Sequence, residues 1–215
     1  MELQKKDFIE IEFTGKVDNN VFDSNIKEDL KILNPQANPK PLIFCLGEGM
    51  FLKGIDDFLI GKEAGRYHVE LTPDKAFGPR IPEFVQKIPI KVFQGQNVNP
   101  VPGAVFNLDG RIAKIITVSG GRVIADFNNP LAGKNVSYDI NVLRKVDDIN
   151  EKIKAMMLFL FRKEFNFSVD DKKITVEVSK EMSKFVEMFG EKFKEIFGLE
   201  VEVKEIAGNS PKTEQ

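Results

Sequence analysis

The sequence is poor in the residues that most enzymes use for catalysis or for binding metal ions. Its 215 residues include one cysteine (Cys45), one histidine (His68) and no tryptophan. A single cysteine excludes an internal disulfide bond and is typical of a reducing compartment. A zinc site needs a cluster of cysteine and histidine ligands, and a Ser–His–Asp triad would have to use the one histidine, which lies in a strand-like segment. We therefore expect neither a metal ion nor a cofactor.

Long apolar stretches and a strong charge of one sign are also missing. No apolar run approaches the ~20 residues that cross a bilayer. The 31 basic and 33 acidic residues are interspersed and leave a net charge of -2, which argues against nucleic acid as the main partner. The N-terminal residues contain no apolar segment typical of a secretion signal. These features predict a cytoplasmic protein that binds neither nucleic acid nor membrane.

The first part of the chain is rich in strand patterns. Residues 8–13 form a β-rich run, and the polar turn at residues 18–20 predicts a hairpin. Residues 34–41 contain three prolines and indicate a loop. A short helix is predicted over residues 54–61, where Asp56 and its neighbour Asp57 point apart and should form a solvated face.

Residues 86–128 have the pattern of a separate small β unit. Asp109-Gly110 separates two strand-like segments and is a strong hairpin signal. The turn at residues 119–121 leads into a further strand. The pattern predicts three or four antiparallel strands.

Residues 148–206 predict a helix, a strand, a second helix and a second strand. A strand–helix–strand unit in one sheet implies parallel strands with a right-handed crossover. The run at residues 155–161 is apolar on every face of its helix, so another surface must cover it. That surface could belong to a second copy of the chain or to a client polypeptide. The polar tail, residues 207–215, is expected to be disordered.

Four segments carry a resemblance to a known family. They are FTGKVDNNVFDSN (Phe13–Asn25), PLIFCLGEGMFLKGIDDFLIGKEAG (Pro41–Gly65), PDKAFG (Pro73–Gly78) and NNPLAGKNVSYDINV (Asn128–Val142). Together they resemble the FK506-binding-protein (FKBP) type of peptidyl-prolyl isomerase, in the SlyD-like and archaeal long form with a domain inserted in its flap. The resemblance implies an α+β fold in which an antiparallel sheet wraps on a short helix. It divides the chain into an isomerase domain (1–85 and 129–147), an all-β insert (86–128), a C-terminal α/β module (148–206) and the tail.

The resemblance also assigns a proline pocket. It implies catalytic roles for Asp23, Leu52, Phe77 and Tyr138, with the backbone N–H of Leu52 holding the substrate carbonyl. It implies substrate contacts for Phe13, Phe22, Leu42, Phe51 and Ile55. Three positions depart from the family pattern: Phe13 and Phe77 stand where tyrosine is usual, and Ile55 stands where tryptophan is frequent.

The expected partners are unfolded or proline-containing polypeptides. By resemblance the insert captures client chains, and its candidate contacts are Val92, Phe93, Val98, Val105 and Phe106. The expected function is peptidyl-prolyl isomerisation with chaperone activity. The alternative is a holdase or adaptor that binds through the same surfaces without catalysis, and either function is compatible with a homodimer formed through the C-terminal module.

Overall fold

The computed structural model describes residues 2–95 and 97–206, which form twelve strands and six α-helices. The predicted disordered tail lies outside these described residues. The elements in chain order are β1 (Phe8–Val17), β2 (Asn20–Ser24), α1 (Lys27–Leu33), β3 (Leu42–Cys45), α2 (Lys53–Leu59), β4 (Gly65–Leu71), β5 (Val85–Pro89), α3 (Ile90–Gln94), β6 (Val105–Leu108), β7 (Arg111–Ser119), β8 (Arg122–Asp126), β9 (Val136–Lys145), α4 (Ile149–Phe161), β10 (Asn166–Asp170), β11 (Lys173–Val178), α5 (Lys180–Glu187), α6 (Gly190–Phe197) and β12 (Glu200–Glu205). Within the described ranges, no helix has the length and apolar character needed to cross a membrane.

The main sheet is antiparallel and has the order β2-β1-β9-β4, with β3 paired to the first half of β1. Strand β9 alternates strictly, because Val136, Tyr138, Ile140 and Val142 are buried while the residues between them are only half-buried. Because successive side chains of a strand point to opposite faces, this alternation places one face of β9 against the core. Helix α2 covers this face, and the predicted α+β class with antiparallel sheets is confirmed.

A second antiparallel sheet has the order β5-β8-β7-β6. Its β6–β7 hairpin turns at Asp109 and Gly110, with φ of 52° and 80°, as the sequence predicted. The all-β description is wrong in one respect, since the short helix α3 follows β5. Phe93 of α3 is 1% exposed and forms the centre of a core drawn from this segment alone.

The C-terminal part contains a third sheet, β10-β11-β12. Strands β11 and β12 are parallel, as expected for a strand–helix–strand unit. Strand β10, which pairs antiparallel with β11, is an element that the sequence analysis missed. The predicted single helical stripe is two helices, α5 and α6, separated at Met188 and Phe189.

The core of the C-terminal part is shared with the main sheet. Phe8 and Val146 are at most 2% exposed and pack in the same cluster as Met156 and Met157 of α4. The Phe8 ring also stacks on Phe197 of α6, with 5.6 Å between centroids. The apolar face of α4 is therefore covered within the chain, which corrects the expectation that a partner molecule must cover it.

Candidate active site

The β1–β2 hairpin carries three of the predicted site residues, Phe13, Phe22 and Asp23. Beyond β2, the side chain of Asn25 ties the chain back to β1. Its Oδ1 accepts a hydrogen bond from the N–H of Phe13 at 2.7 Å, and its Nδ2 donates to the carbonyl of Ile11 at 2.9 Å. These bonds fix the position of the hairpin relative to the rest of the sheet.

Five of the predicted aromatic residues meet at one end of the main sheet. Phe22 lies 5.7 Å from both Phe77 and Tyr138, measured between ring centroids, and both contacts are edge-to-face. Phe51 lies 5.0 Å from Phe13 and 5.7 Å from Tyr138. Edge-to-face packing brings the positive edge of one ring onto the negative face of another, which favours this arrangement. We call these five rings the aromatic cluster.

Gly15 allows two of these rings to approach the backbone of β1. A Cβ atom at this position would lie 2.9 Å from ring atoms of both Phe22 and Tyr138. Any side chain here would therefore displace the cluster. The sequence analysis did not single out Gly15, although it lies within the FTGK segment.

Asp23 lies at the edge of the aromatic cluster. The residue is exposed, yet the surrounding apolar atoms remove water from its carboxyl group and raise its pKa, an effect that a hydrogen bond from the Ser24 backbone partly offsets. Tyr138 is 1% exposed. Its burial, together with the nearby Asp23 charge, raises the pKa of the Tyr138 phenol, which stays neutral. The site thus combines a carboxyl group with largely dehydrated rings.

The segment before α2 supplies Phe51 and Leu52. Leu52 is the N-cap residue of α2, and its N–H donates no hydrogen bond to another group in the described part of the chain. Ile55 is 0% exposed and packs in the core of the main sheet, and its contact with substrate stays a prediction. Besides its contacts within the cluster, the Phe51 ring lies 5.4 Å from the ring of the buried Phe44.

Asp56 is a buried carboxyl group beneath this segment. The residue is 3% exposed, which overturns the expectation that Asp56 belongs to a solvated helix face; Asp57 is exposed. The backbone N–H groups of Gly47 and Gly49 donate to the Asp56 side chain, and its Oδ1 atom has no hydrogen-bond partner among the described residues. Burial raises the pKa of Asp56 to about 6. Asp56 therefore holds the loop that leads to Phe51.

The raised pKa predicts how stability depends on pH. The folded protein binds the Asp56 proton more tightly than the unfolded chain does. The contribution of protonated Asp56 to the free energy of unfolding is therefore fully present below pH ~4 and is lost as the pH rises through about 6. The loss is on the order of 3 kcal/mol. In Asp56→Asn this part of the decline should disappear, as measured by denaturant unfolding between pH 4 and pH 7.5. The matched control is Asp57→Asn. An equal dependence of the free energy of unfolding on pH in wild type and both variants would contradict the assignment of this decline to Asp56.

The predicted client contacts in the second sheet differ in exposure. Val92 and Val105 are 46% and 58% exposed. Val98 and Phe106 are half-buried against the local core. Phe93 is the centre of that core, so we exclude it from any binding surface. The sequence analysis missed Ile112 and Ile116 of β7, which are 57% and 39% exposed.

Two contacts link the chain segments on either side of the second sheet. Arg80 forms an ion pair with Asp126 at 2.5 Å. The Asn128 side chain accepts from the N–H of Ile81 at 2.8 Å and donates to the carbonyl of Ile81 at 3.0 Å. The segment that enters the second sheet and the segment that leaves it therefore lie next to each other.

Comparison with known proteins identifies the family. The chain is 33% identical over 144 residues to a protein of Methanocaldococcus jannaschii named short-type peptidyl-prolyl cis-trans isomerase, which covers 65% of this chain and 92% of that protein. It is 34% identical over 112 residues to an Escherichia coli protein named FKBP-type 16 kDa peptidyl-prolyl cis-trans isomerase, which covers 49% of this chain and 74% of that protein. The chain belongs to the FKBP-type peptidyl-prolyl isomerase family.

Two further matches concern particular parts of this FKBP-type chain. A Vibrio cholerae protein named FKBP-type peptidyl-prolyl cis-trans isomerase SlyD is 32% identical over 121 residues, which covers 54% of this chain and 60% of that protein. A family model described as the IF domain of FKBP26 matches residues 86–131. This range contains most of the second sheet, so the resemblance to the SlyD-like FKBP type is confirmed.

Proposed function

We propose that the protein is a peptidyl-prolyl cis-trans isomerase that acts on proline-containing polypeptides through the aromatic cluster and Asp23. The observation that carries the proposal is the meeting of five aromatic rings, with the Asp23 carboxyl group at their edge, in a chain of this family. Asp23, Leu52, Phe77 and Tyr138 take the catalytic roles. Phe13, Phe22, Leu42 and Phe51 bind the substrate, with Ile55 supporting them from below.

The chemistry needs neither an acid, a base nor a nucleophile. Rotation about an Xaa–Pro bond has a barrier of ~18–20 kcal/mol, since the planar amide is stabilised by conjugation. The twisted transition state loses this conjugation and its charge separation. A dehydrated apolar pocket therefore favours the twisted state over the planar one, provided that the substrate stays oriented. The N–H of Leu52, which donates to no group among the described residues, is suited to orient the substrate by donating to one of its carbonyl groups.

The test measures cis/trans exchange of a Leu-Pro tetrapeptide by NMR. Wild type should accelerate exchange, and Asp23→Ala and Phe77→Ala should each lower kcat/KM about tenfold or more, which corresponds to ~1.4 kcal/mol or more of transition-state stabilisation. Asp57→Ala, which removes an exposed carboxylate outside the pocket, is the matched control. Wild type that does not accelerate exchange would refute the proposal.

We further propose that residues 86–128 form an insert in the flap that captures unfolded clients, which adds chaperone activity to catalysis. Val105, Ile112 and Ile116 support this role, because they are exposed apolar side chains on one strand pair of a small sheet. Tethering a client near the pocket makes proline capture intramolecular and raises its effective concentration. On this proposal residues 1–85 and 129–147 form the isomerase domain and residues 148–206 a C-terminal module.

A holdase or adaptor without catalysis is the second candidate. It is favoured by Phe13 and Phe77, which lack the hydroxyl groups that the family usually has at these positions. Wild type that suppresses aggregation of an unfolded chain but leaves tetrapeptide exchange unchanged would support it.

The C-terminal module also offers a face for a homodimer. Phe185 and Met188 are 40% and 77% exposed, and Phe185 belongs to a group of edge-to-face rings with Phe161 and Phe189. We expect full-length protein to sediment as a dimer and the Phe185→Glu variant as a monomer. Equal masses for both proteins would contradict this face.

A further inference from the structure

A cavity of about 580 Å³ lies next to the aromatic cluster on the side of α4. Phe13, Asp23 and Leu42 line this cavity and also belong to the proposed proline pocket. Much of the remaining wall comes from β3 and from α4 of the C-terminal part. The volume is within the range of ligand sites, roughly 300–1,000 Å³. The cavity is therefore continuous with the proposed pocket and large enough for peptide side chains.

One face of α4 forms the far wall. Glu151, Lys154, Ala155, Leu158 and Arg162 line the cavity, and their spacing of three or four residues places them on one side of a helix. Leu158 is 45% exposed, whereas Ala155, Met156 and Met157 of the same helix are buried. An exposed leucine that faces a cavity is suited to contact an apolar ligand group.

The position of α4 relative to β3 is fixed. Ile153, Met156 and Met157, on other sides of the helix, are at most 1% exposed in the shared core. Arg144 also joins Glu10 of β1 to Glu151 of α4, with distances of 2.5 Å and 2.6 Å. Because the wall is already in place, binding does not have to order it.

Charge does not select the ligand strongly. Three basic residues that form no ion pair within the described residues line the cavity, namely Lys40, Lys154 and Arg162, and its acidic lining residues are Asp23, Glu164 and Glu151, which pairs with Arg144. The charges nearly balance, so recognition depends on the apolar part of the lining. Leu42, Ala155 and Leu158 supply it.

We propose that this cavity is a second subsite for the client polypeptide, in which α4 binds an apolar side chain two or three residues from the isomerised proline. The inference rests on the proposed isomerase function, since its occupant is the same chain that places proline in the aromatic cluster. This occupant is chosen because the cavity and the proposed proline pocket share Asp23 and Leu42, so a polypeptide that extends from the pocket past these residues enters the cavity. The C-terminal part of the protein thereby contributes to substrate selection.

The test uses capped heptapeptides that share a central Leu-Pro and carry alanine elsewhere. A single leucine is moved through the positions two and three residues from the proline on either side, and kcat/KM is measured by NMR exchange. In wild type, leucine at one position should raise kcat/KM at least fivefold over the alanine peptide, mainly through KM. In Leu158→Glu this gain should be lost. Leu143→Glu is the matched control, since Leu143 is 41% exposed and lies outside the cavity.

The outcomes separate this inference from the proposed function. If wild type does not accelerate the alanine peptide, the isomerase function fails. If wild type accelerates it but no position of leucine gives a gain, or if the gain survives in Leu158→Glu, the subsite is refuted. An equal loss for all peptides in Leu158→Glu would also refute it, because α4 would then support the pocket without binding the peptide.

Discussion

Replacing residues 86–126 with a short glycine linker should slow the catalysed refolding of a proline-limited protein at least tenfold while the protein still isomerises a tetrapeptide. The structural reason is that the second sheet closes its own core. The buried residues Phe93, Ala113, Ile115, Val123 and Ala125 pack with other residues of this segment and with Phe127 at its end, and with no strand of the main sheet. Removing the segment therefore exposes no apolar surface in the main sheet.

The chain ends left by this deletion are already close together. The N–H of Phe127 donates to the carbonyl of Phe84 at 2.9 Å, so a short linker joins them without moving the main sheet. The refolding loss follows from the effective concentration, which reaches roughly millimolar for short flexible tethers and is lost with the insert.

The two activities are measured on the same preparations. Tetrapeptide exchange is followed by NMR, and refolding is followed by fluorescence of a denatured client with a slow proline phase. A double variant, Val105→Ser with Ile112→Ser, should reproduce part of the refolding loss, and Lys87→Ser, on the exposed surface of β5, is its control. Equal losses of both activities in the deletion variant would contradict the division between capture and catalysis.

The sequence predicts the elements of this fold best where apolar and polar residues alternate along a strand. Local periodicity predicted strands of the main sheet and turn chemistry the β6–β7 hairpin, while the resemblance implied the sheet itself and the strand–helix–strand order the parallel pair β11 and β12. Helix α3 and strand β10 were missed because each has only five residues, too few for a periodic pattern. Short elements of this kind form because tertiary contacts stabilise them.

The site residues were predictable only as a set. The resemblance assigned the five aromatic positions, and the structure brings these rings into contact. It could not show that Ile55 is fully buried in the core of the main sheet, because this depends on packing between segments. Asp56 was assigned to solvent for a related reason, since helical periodicity does not reveal a loop that covers the polar side of a helix.

Removing residues 148–215 should have the opposite effect from removing the insert, because it should destabilise the isomerase part itself. Phe8, Cys45 and Val146 of that part are at most 2% exposed only because α4 and α6 cover them. Exposing such side chains costs about 1.5–3 kcal/mol each, so the truncated chain should lose about 4.5–9 kcal/mol of stability. Domains are stable by only about 5–15 kcal/mol.

Thermal and denaturant unfolding of the truncated chain, the insert-deleted chain and wild type test this prediction. We expect the insert-deleted chain to keep the stability of the main sheet and the truncated chain to unfold at much lower denaturant concentration or to aggregate. Phe8→Gln and Val146→Thr in the truncated chain should restore solubility, because they replace the uncovered apolar side chains with polar ones. A truncated chain as stable as the insert-deleted one would contradict the shared core. Because loss of this core would also change the mass in solution through aggregation, the dimer face is better tested by substitution at Phe185 than by truncation.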